Sequence, residues 1–155
     1  MWGGVECSVV RVGSRWRDQV RETGHHDRID DLDRIAGLGI RTLRYPVLWE
    51  RCVEGPAACD WAWHDERLDW LHVLGITPII GLVHHGSGPP GVHHFEPGWA
   101  EGLARHAAAV AARYPWVKHW TPVNEPLTTA RFSGLYGLWH PHLSSELAFG
   151  AMLFN

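Results

Sequence analysis

The stretch from Ile76 to Val83 constrains the fold of this chain more than any other. It reads Ile-Thr-Pro-Ile-Ile-Gly-Leu-Val and is nearly all apolar. A run of this length and composition is typical of a strand in a parallel sheet, where helices cover both faces. Because parallel strands are joined by crossover connections that are usually helical, this segment predicts an α/β architecture.

Three further strands are predicted from alternating or β-branched apolar residues. They cover residues 4–12, residues 40–48 and the segment that ends at Pro126. Proline cannot donate a ladder hydrogen bond, so strand pairing should end there and leave Glu125 at the tip of the strand.

Helices are predicted where apolar residues recur at helical spacing. The ranges are 28–38 with Asp27 as the N-cap, 60–74, 99–113, and a last helix that starts near Ser144 or Ser145. Loops are expected over 86–91 and 127–143. Four consecutive strand–helix units indicate one parallel sheet.

Periodicity alone does not separate an open doubly wound sheet from a barrel. No Gly-x-Gly-x-x-Gly motif follows the first predicted strand, which argues against dinucleotide binding. A (β/α)8 barrel takes about 250 residues, and this chain has 155 and stops within an apolar helical pattern. We therefore expect a partial (β/α)8 TIM barrel. Residues 1–155 would form one domain, the truncated N-terminal half with about four strand–helix units.

Composition excludes several classes of partner. The formal charge is −3 and no basic run occurs, which argues against nucleic acid and anionic membrane surfaces. The longest apolar run, 75–83, is too short to span a bilayer, and the first residues lack the pattern of a signal peptide. The three cysteines have no Cys-x-x-Cys spacing, so we expect no disulfide framework and a cytoplasmic location.

Polar residues follow the ends of three successive predicted strands. The second strand carries Arg44, the third leads to His84 and His85, and the fourth delivers Asn124 and Glu125. The carboxyl ends of parallel barrel strands meet at one rim, where active sites are built. A guanidinium, imidazoles, an amide and a carboxyl group at that rim suit a carbohydrate subsite. The alternatives are a solvated loop carboxylate at Glu125 and a structural ion pair at Arg44.

The ten tryptophans and twelve histidines are unusual counts. Trp49 and Trp139 lie near strand ends or in loops and are candidates to stack on a sugar, whereas tryptophans on helical patterns are expected in the core. The paired histidines suggest metal ligands, but adjacent strand residues point to opposite faces and no His-Glu-x-x-His spacing accompanies them. We therefore expect no metal site and no cofactor.

These motifs together resemble the retaining glycoside hydrolases of family 1, the β-glucosidase family. The matching segments, in the family's order, are Trp2-Gly3, Leu43-Arg44-Tyr45 to Trp49, Gly75-Ile-Thr-Pro78 to Leu82-Val-His84, Trp120-Thr-Pro-Val-Asn-Glu-Pro126, and Gly134-Leu-Tyr-Gly137 with His140-Pro141. The resemblance covers essentially the whole chain. It implies a (β/α)8 barrel that hydrolyses O-glycosidic bonds with retention of configuration.

The resemblance also implies roles for individual residues. Glu125 would be the general acid/base, Asn124 would hold the sugar 2-hydroxyl, and Arg44 would orient the partner carboxylate. His84, with His85 and Trp139 beside it, would contact the sugar. The family's nucleophile comes from a seventh strand, which lies beyond this chain, so we expect the chain alone to be inactive.

Two departures from the family pattern leave other functions open. The family's sugar-binding Gln falls near Val10, and His85 stands where the family has an aromatic residue. The alternative function is a non-catalytic sugar-binding barrel module associated with a sugar-nucleotide (deoxysugar) reductase, and a metal-dependent hydrolase is a third. The expected partners are a carbohydrate substrate and either the missing C-terminal half-barrel or a second copy bound through open strand edges.

Overall fold

A computed structural model describes residues 1–51 and 59–154 of the chain. Its strands are β1 (Trp2–Gly4), β2 (Val9–Val12), β3 (Arg15–Asp18), β4 (Thr42–Pro46), β5 (Thr77–His84) and β6 (His119–Asn124). Four of them form a parallel sheet in the order β1-β4-β5-β6, and β2 pairs with β3 as an antiparallel hairpin. Together with the helices between the strands, this is part of an α/β barrel, as the sequence predicts.

Six α-helices accompany the strands in the described residues. They are α1 (Gln19–Glu22), α2 (Asp31–Gly37), α3 (Trp61–Val73), α4 (Trp99–Arg113), α5 (Pro126–Ala130) and α6 (Glu146–Phe154), and a π-helical turn spans Arg131–Leu135. Asp60 caps helix α3, because its side chain accepts a hydrogen bond from the Trp63 N–H. Helix α4 begins and ends where its apolar spacing places it.

The core lies between the sheet and helices α2, α3 and α4. On the central strands, Leu43 and Tyr45 of β4 and Ile80 and Leu82 of β5 are each at most 1% exposed. In β5 the residues from Ile80 to His84 are all buried, as expected for a parallel strand that is covered on both faces. Because these buried side chains fix how β4 and β5 pair, they also determine which residues lie at the ends of the two strands.

The sheet register brings the strand ends into line. Residue Gly4 of β1 lies opposite Arg44 of β4, and Arg44 lies opposite Ile79 of β5. At the end of the sheet, His84 of β5 lies opposite Asn124 of β6. The two polar residues are thus held side by side by backbone pairing, before any side-chain contact is made.

The first predicted strand is wrong in its extent. Only residues 2–4 pair with the sheet, whereas Val9–Val12 turns back on Arg15–Asp18 through Gly13, whose φ of 60° suits a tight hairpin turn. Val5 and Cys7, which carry half of the alternation that predicts a strand over 4–12, lie in no strand, and Val9 belongs to the hairpin.

Other corrections concern helix ends and a loop. Asp27 does not cap α2; it lies in a separate 3-10 turn, and the helix starts at Asp31. The loop expected over 127–143 instead begins with helix α5 and the π-helical turn. Helix α6 has no buried residue, and Leu147 and Phe154 are 86% and 93% exposed.

The cysteines also differ from expectation. Cys59 is disulfide-bonded, whereas Cys7 is a free and buried thiol. The sequence predicted no disulfide framework, and the disulfide at Cys59 departs from that expectation. No helix among residues 1–51 and 59–154 is long and apolar enough to cross a membrane.

Candidate functional site

The tips of β4, β5 and β6 bring together the polar residues that the sequence predicts at this rim. Arg44 Nη1 donates a hydrogen bond of 2.5 Å to Asn124 Oδ1, although the two residues are 80 positions apart. Arg44 Nη2 lies 3.5 Å from His84 Nε2 and 3.6 Å from Glu6 Oε1. Arg44 therefore connects all three strands. Its ion pair with Glu6 is the kind of structural contact that the sequence analysis gave as the alternative role of Arg44.

His84 is almost completely buried at the end of β5. Its Nδ1 lies 2.8 Å from Ser8 Oγ, and its Nε2 lies 3.8 Å from Glu6 Oε2. Burial lowers the pKa of His84 to about 4, and the neighbouring His85 and Arg44 act in the same direction. The ring is therefore neutral near pH 7 and can exchange hydrogen bonds with hydroxyl groups without carrying charge.

His85 lies beside His84 in the site, although adjacent residues within a strand point to opposite faces. Strand β5 ends at His84, and His85 adopts a left-handed backbone with φ of 62°. The rule of alternation no longer holds past the strand end, and the two imidazole centroids are 4.7 Å apart. Burial lowers the pKa of His85 as well, although nearby Glu125 opposes the shift.

Glu125 follows directly after the last sheet residue of β6, at the tip where the sequence places it. Its backbone is left-handed with φ of 47°, and Pro126 then starts helix α5. Its side chain is 61% exposed, and Oε2 lies 3.8 Å from His85 Nε2. The carboxyl group is thus accessible to a ligand and stands beside a buried imidazole.

Trp139 forms one wall of a cavity of about 330 Å³ next to these residues. The cavity is lined by Glu6, Ser8, Val10, Val12, Arg17, Gln19, His85 and Trp139. The Trp139 ring packs 5.0 Å from His85, and the following residue, His140, donates its backbone N–H to the Arg11 carbonyl. By contrast, Trp49 is buried against Trp99, so its prediction as a stacking surface is wrong.

Sequence reasoning missed three residues that hold this site together. Ser8 contacts His84, Gln19 Oε1 accepts the Ser8 backbone N–H at 2.8 Å, and Thr129 Oγ1 lies 3.0 Å from His85 Nδ1. One signal for Thr129 was available, since it follows Glu125 by four residues and Pro126 is a favoured first residue of a helix. Ser8 and Gln19 meet only because of the hairpin, which the sequence does not reveal.

The described residues contain no group of three or more His, Cys, Asp or Glu side chains placed to hold a metal ion. The site instead combines an exposed carboxyl group, a guanidinium–amide pair, two neutral imidazoles and an indole. Together these groups can bind hydroxyl groups, stack on an apolar ring face and exchange a proton. The fold and the site define a barrel protein with a rim suited to a carbohydrate.

Comparison with known proteins points to β-glucosidases. The chain is 34% identical over 142 residues to thermostable β-glucosidase B of Thermobispora bispora, covering 84% of this chain and 29% of that protein. It is 29% identical over 127 residues to β-glucosidase 4 of Oryza sativa subsp. japonica, covering 75% and 26%. The chain is thus similar to part of these β-glucosidases, in agreement with the resemblance of its motifs to glycoside hydrolase family 1.

A solved structure supports the fold. The β-glucosidase of Thermotoga maritima in complex with castanospermine superposes with a TM-score of 0.74 at 21% identity, covering 83% of this chain and 31% of that one. No family model matches the chain. The chain spans less than a third of the length of these relatives.

Proposed function

We propose that this chain supplies the acid/base half of a retaining β-glucosidase site. As the N-terminal half of a (β/α)8 barrel, it would take part in carbohydrate metabolism within a longer protein. The observation that carries the proposal is the convergence of Arg44, Asn124 and Glu125 at neighbouring strand tips, with hydrogen bonding between the first two. Its relationship to β-glucosidases supports the same reaction class.

In this proposal Glu125 protonates the glycosidic oxygen of the leaving group and later removes a proton from the attacking water. Its exposed side chain leaves it accessible to both. Asn124 binds the sugar 2-hydroxyl, because its amide is fixed by Arg44. His84, His85 and Trp139 would form the wall that contacts the sugar ring.

The nucleophile would be supplied by another part of the barrel. Retaining enzymes hold their two carboxyl groups about 5–5.5 Å apart. Among the described residues Glu6 also brings a carboxyl group near the site, but it pairs with Arg44, so we assign it to the charge balance of the rim. We therefore propose that the 155-residue chain alone does not hydrolyse glycosides.

Two assays test the proposal. The purified chain should release no p-nitrophenol from p-nitrophenyl β-glucoside, and release above the rate of the buffer would overturn its inactivity. In a longer protein that contains this chain and the remaining strands, Glu125→Gln should abolish turnover of alkyl β-glucosides, whose leaving groups need protonation. Glu101→Gln, at an exposed position of α4, is the matched control; equal rates for both variants would remove Glu125 from the mechanism.

The alternative proposal is a sugar-binding module without catalysis, joined to a sugar-nucleotide reductase. The observation that favours it is Val10, an apolar residue lining the cavity where the related hydrolases carry a sugar-binding Gln. In that case the longer protein would bind β-glucosides with equal affinity as wild type and as Glu125→Gln, and neither would show turnover.

Two further proposals concern assembly and location. The strands β1 and β6 form the open edges of the described sheet, so we propose that the remaining half-barrel, or else a second copy, pairs there. A cytoplasmic location stays a prediction. It was based on the expected lack of a disulfide framework, and the disulfide at Cys59 argues against that basis.

A further inference from the structure

The amide of Asn124 can point in only one direction. The Arg44 guanidinium has donors and no acceptor, so the atom of Asn124 that it contacts at 2.5 Å must be the carbonyl Oδ1. The amide nitrogen Nδ2 then faces the opposite way, toward His85 Nε2 at 3.3 Å. An amide nitrogen can only donate, and therefore His85 Nε2 must accept.

This requirement determines the tautomer of His85. A neutral imidazole that accepts at Nε2 carries its proton on Nδ1. Nδ1 lies 3.0 Å from Thr129 Oγ1, which can accept that proton's hydrogen bond. Thr129 is 3% exposed, so no bulk water competes for this contact. Its backbone N–H also donates to the Glu125 carbonyl at 3.0 Å, which places the hydroxyl and the acid on one helical turn.

The single lone pair of His85 Nε2 is used by the Asn124 amide, and Glu125 Oε2, at 3.8 Å, lies beyond hydrogen-bond distance. We propose that Thr129 and His85 are positioning residues, which together with Arg44 hold the amide of Asn124 in one orientation. This proposal rests on the proposed role of Asn124 in binding the sugar, and it gives a use to His85 at a position where the family pattern has an aromatic residue.

The charges around His85 fit this arrangement. The groups that face it are Glu125, Glu6, Arg44 and the neutral ring of His84, and Trp139 packs over one side. Burial has the largest effect and lowers the pKa of His85, which the two carboxylates oppose and Arg44 reinforces. The ring therefore stays neutral near pH 7, and the choice between its tautomers rests with its hydrogen-bond partners.

The tautomer can be measured directly on this chain by nitrogen-15 NMR of its histidine side chains at pH 7. The His85 signals are assigned from their loss in His85→Gln. We expect the Nδ1–H tautomer in the wild type. Thr129→Val has nearly the same shape but lacks the hydroxyl, so an Nε2–H fraction should appear. Thr129→Ser keeps the hydroxyl and should restore the wild-type signals.

The link to Asn124 needs a second readout. The side-chain amide signals of Asn124, assigned from their loss in Asn124→Asp, should shift in Thr129→Val, because an Nε2–H cannot accept a hydrogen bond from the amide. In Thr129→Ser they should stay where the wild type has them. A wild-type Nε2–H tautomer, or Asn124 amide signals that are the same in all three proteins, would overturn the proposal.

These measurements are independent of hydrolysis. If the longer protein proves inactive while the Nδ1–H tautomer and the shifted Asn124 amide signals are observed, the proposed function fails and the positioning of Asn124 stands. If the longer protein hydrolyses glucosides and the tautomer is Nε2–H, only the inference about Thr129 and His85 fails.

Discussion

Arg44 and Asn124 form a hydrogen bond that joins strands β4 and β6 across β5. Its length is 2.5 Å, and Asn124 is 6% exposed. Because each residue lies at a strand tip fixed by the sheet register, the bond forms only when β4, β5 and β6 are correctly aligned. It therefore reports on correct folding of the sheet.

Arg44→Met should lower the free energy of unfolding by about 1–3 kcal/mol, because it leaves the buried Asn124 carbonyl without a donor. Methionine keeps most of the volume of the side-chain stem, so lost packing adds little. Urea unfolding at pH 7 measures the change. Arg105→Met, at an exposed position of α4, should change stability by less than about 0.5 kcal/mol. A loss no larger than that of this control would contradict the role given to Arg44.

Glu50 gives the protein an unusual pH dependence. It is 7% exposed, and Oε1 accepts a 3.4 Å hydrogen bond from the Gly88 N–H, whereas Oε2 has no partner. Burial raises the pKa of Glu50 from 4.5 to about 8. Between these two values the folded protein holds a proton that the unfolded chain has lost, so the contribution of Glu50 to stability falls as the pH rises.

Glu50→Gln should remove this slope, because glutamine does not ionise. Urea unfolding at pH 5, 6.5 and 8 should show that the variant gains stability relative to the wild type as the pH increases, by several kcal/mol over the whole range. The comparison cancels the other titrating groups, which both proteins share. A constant difference between the two proteins would mean that Glu50 is ionised in the fold.

The loop after β5 approaches Glu50 so closely that Gly86 has no room for a side chain. A Cβ at Gly86 would collide with Glu50 Oε1 and lie 2.5 Å from the Val9 carbonyl oxygen. Gly86→Ala should therefore destabilise the protein by about 1–3 kcal/mol, as overpacking does in other cores. Gly37→Ala is the matched control, since a Cβ there meets nothing within 4 Å and alanine favours the helix. The midpoint of thermal unfolding should fall in Gly86→Ala and rise in Gly37→Ala.

An apolar groove of about 440 Å³ runs between α4 and the edge strand β6. It is lined by residues such as Ala104, Ala111, Trp120 and Val123. If the open side of the sheet associates with a second copy, Ala111→Glu should weaken that association, since a charge would be buried in the groove. Sedimentation velocity over a range of concentrations measures it.

The control for the groove is Ala112→Glu, which adds the same charge one residue further along α4. Both alanines are exposed, but only Ala111 lines the groove. Equal effects of the two variants would show that net charge, rather than this groove, governs association.

Much of the sheet and its rim could be predicted because burial imposes a simple pattern. Strand β5 lies between β4 and β6 and is nearly all buried, so its sequence is a continuous apolar run. The end of that run correctly predicted that His84 lies at the end of the strand. Helix α4 combines an apolar stripe with Pro115 two residues after its end, and its limits follow directly. In such segments local preference and tertiary packing agree.

The remaining features depend on backbone geometry that composition does not encode. Alternation over 4–12 is equally compatible with one strand or with a short strand and a hairpin, and only the turn at Gly13 distinguishes them. The convergence of His84 and His85 requires the left-handed backbone at His85, which is uncommon for a residue with a side chain. Thr129 was hidden because its helix was expected to be a loop.

The place of Glu125 after an edge strand determines how a complete site could be assembled. The sheet occupies one flank of Glu125 through β5 and His85, and among the described residues no strand occupies the other. Under the proposed function, a second carboxylate would therefore approach from that open flank. Since the hydrogen bonds that orient Asn124 and His85 already exist within this chain, the remaining part of such a site would only have to supply that carboxylate.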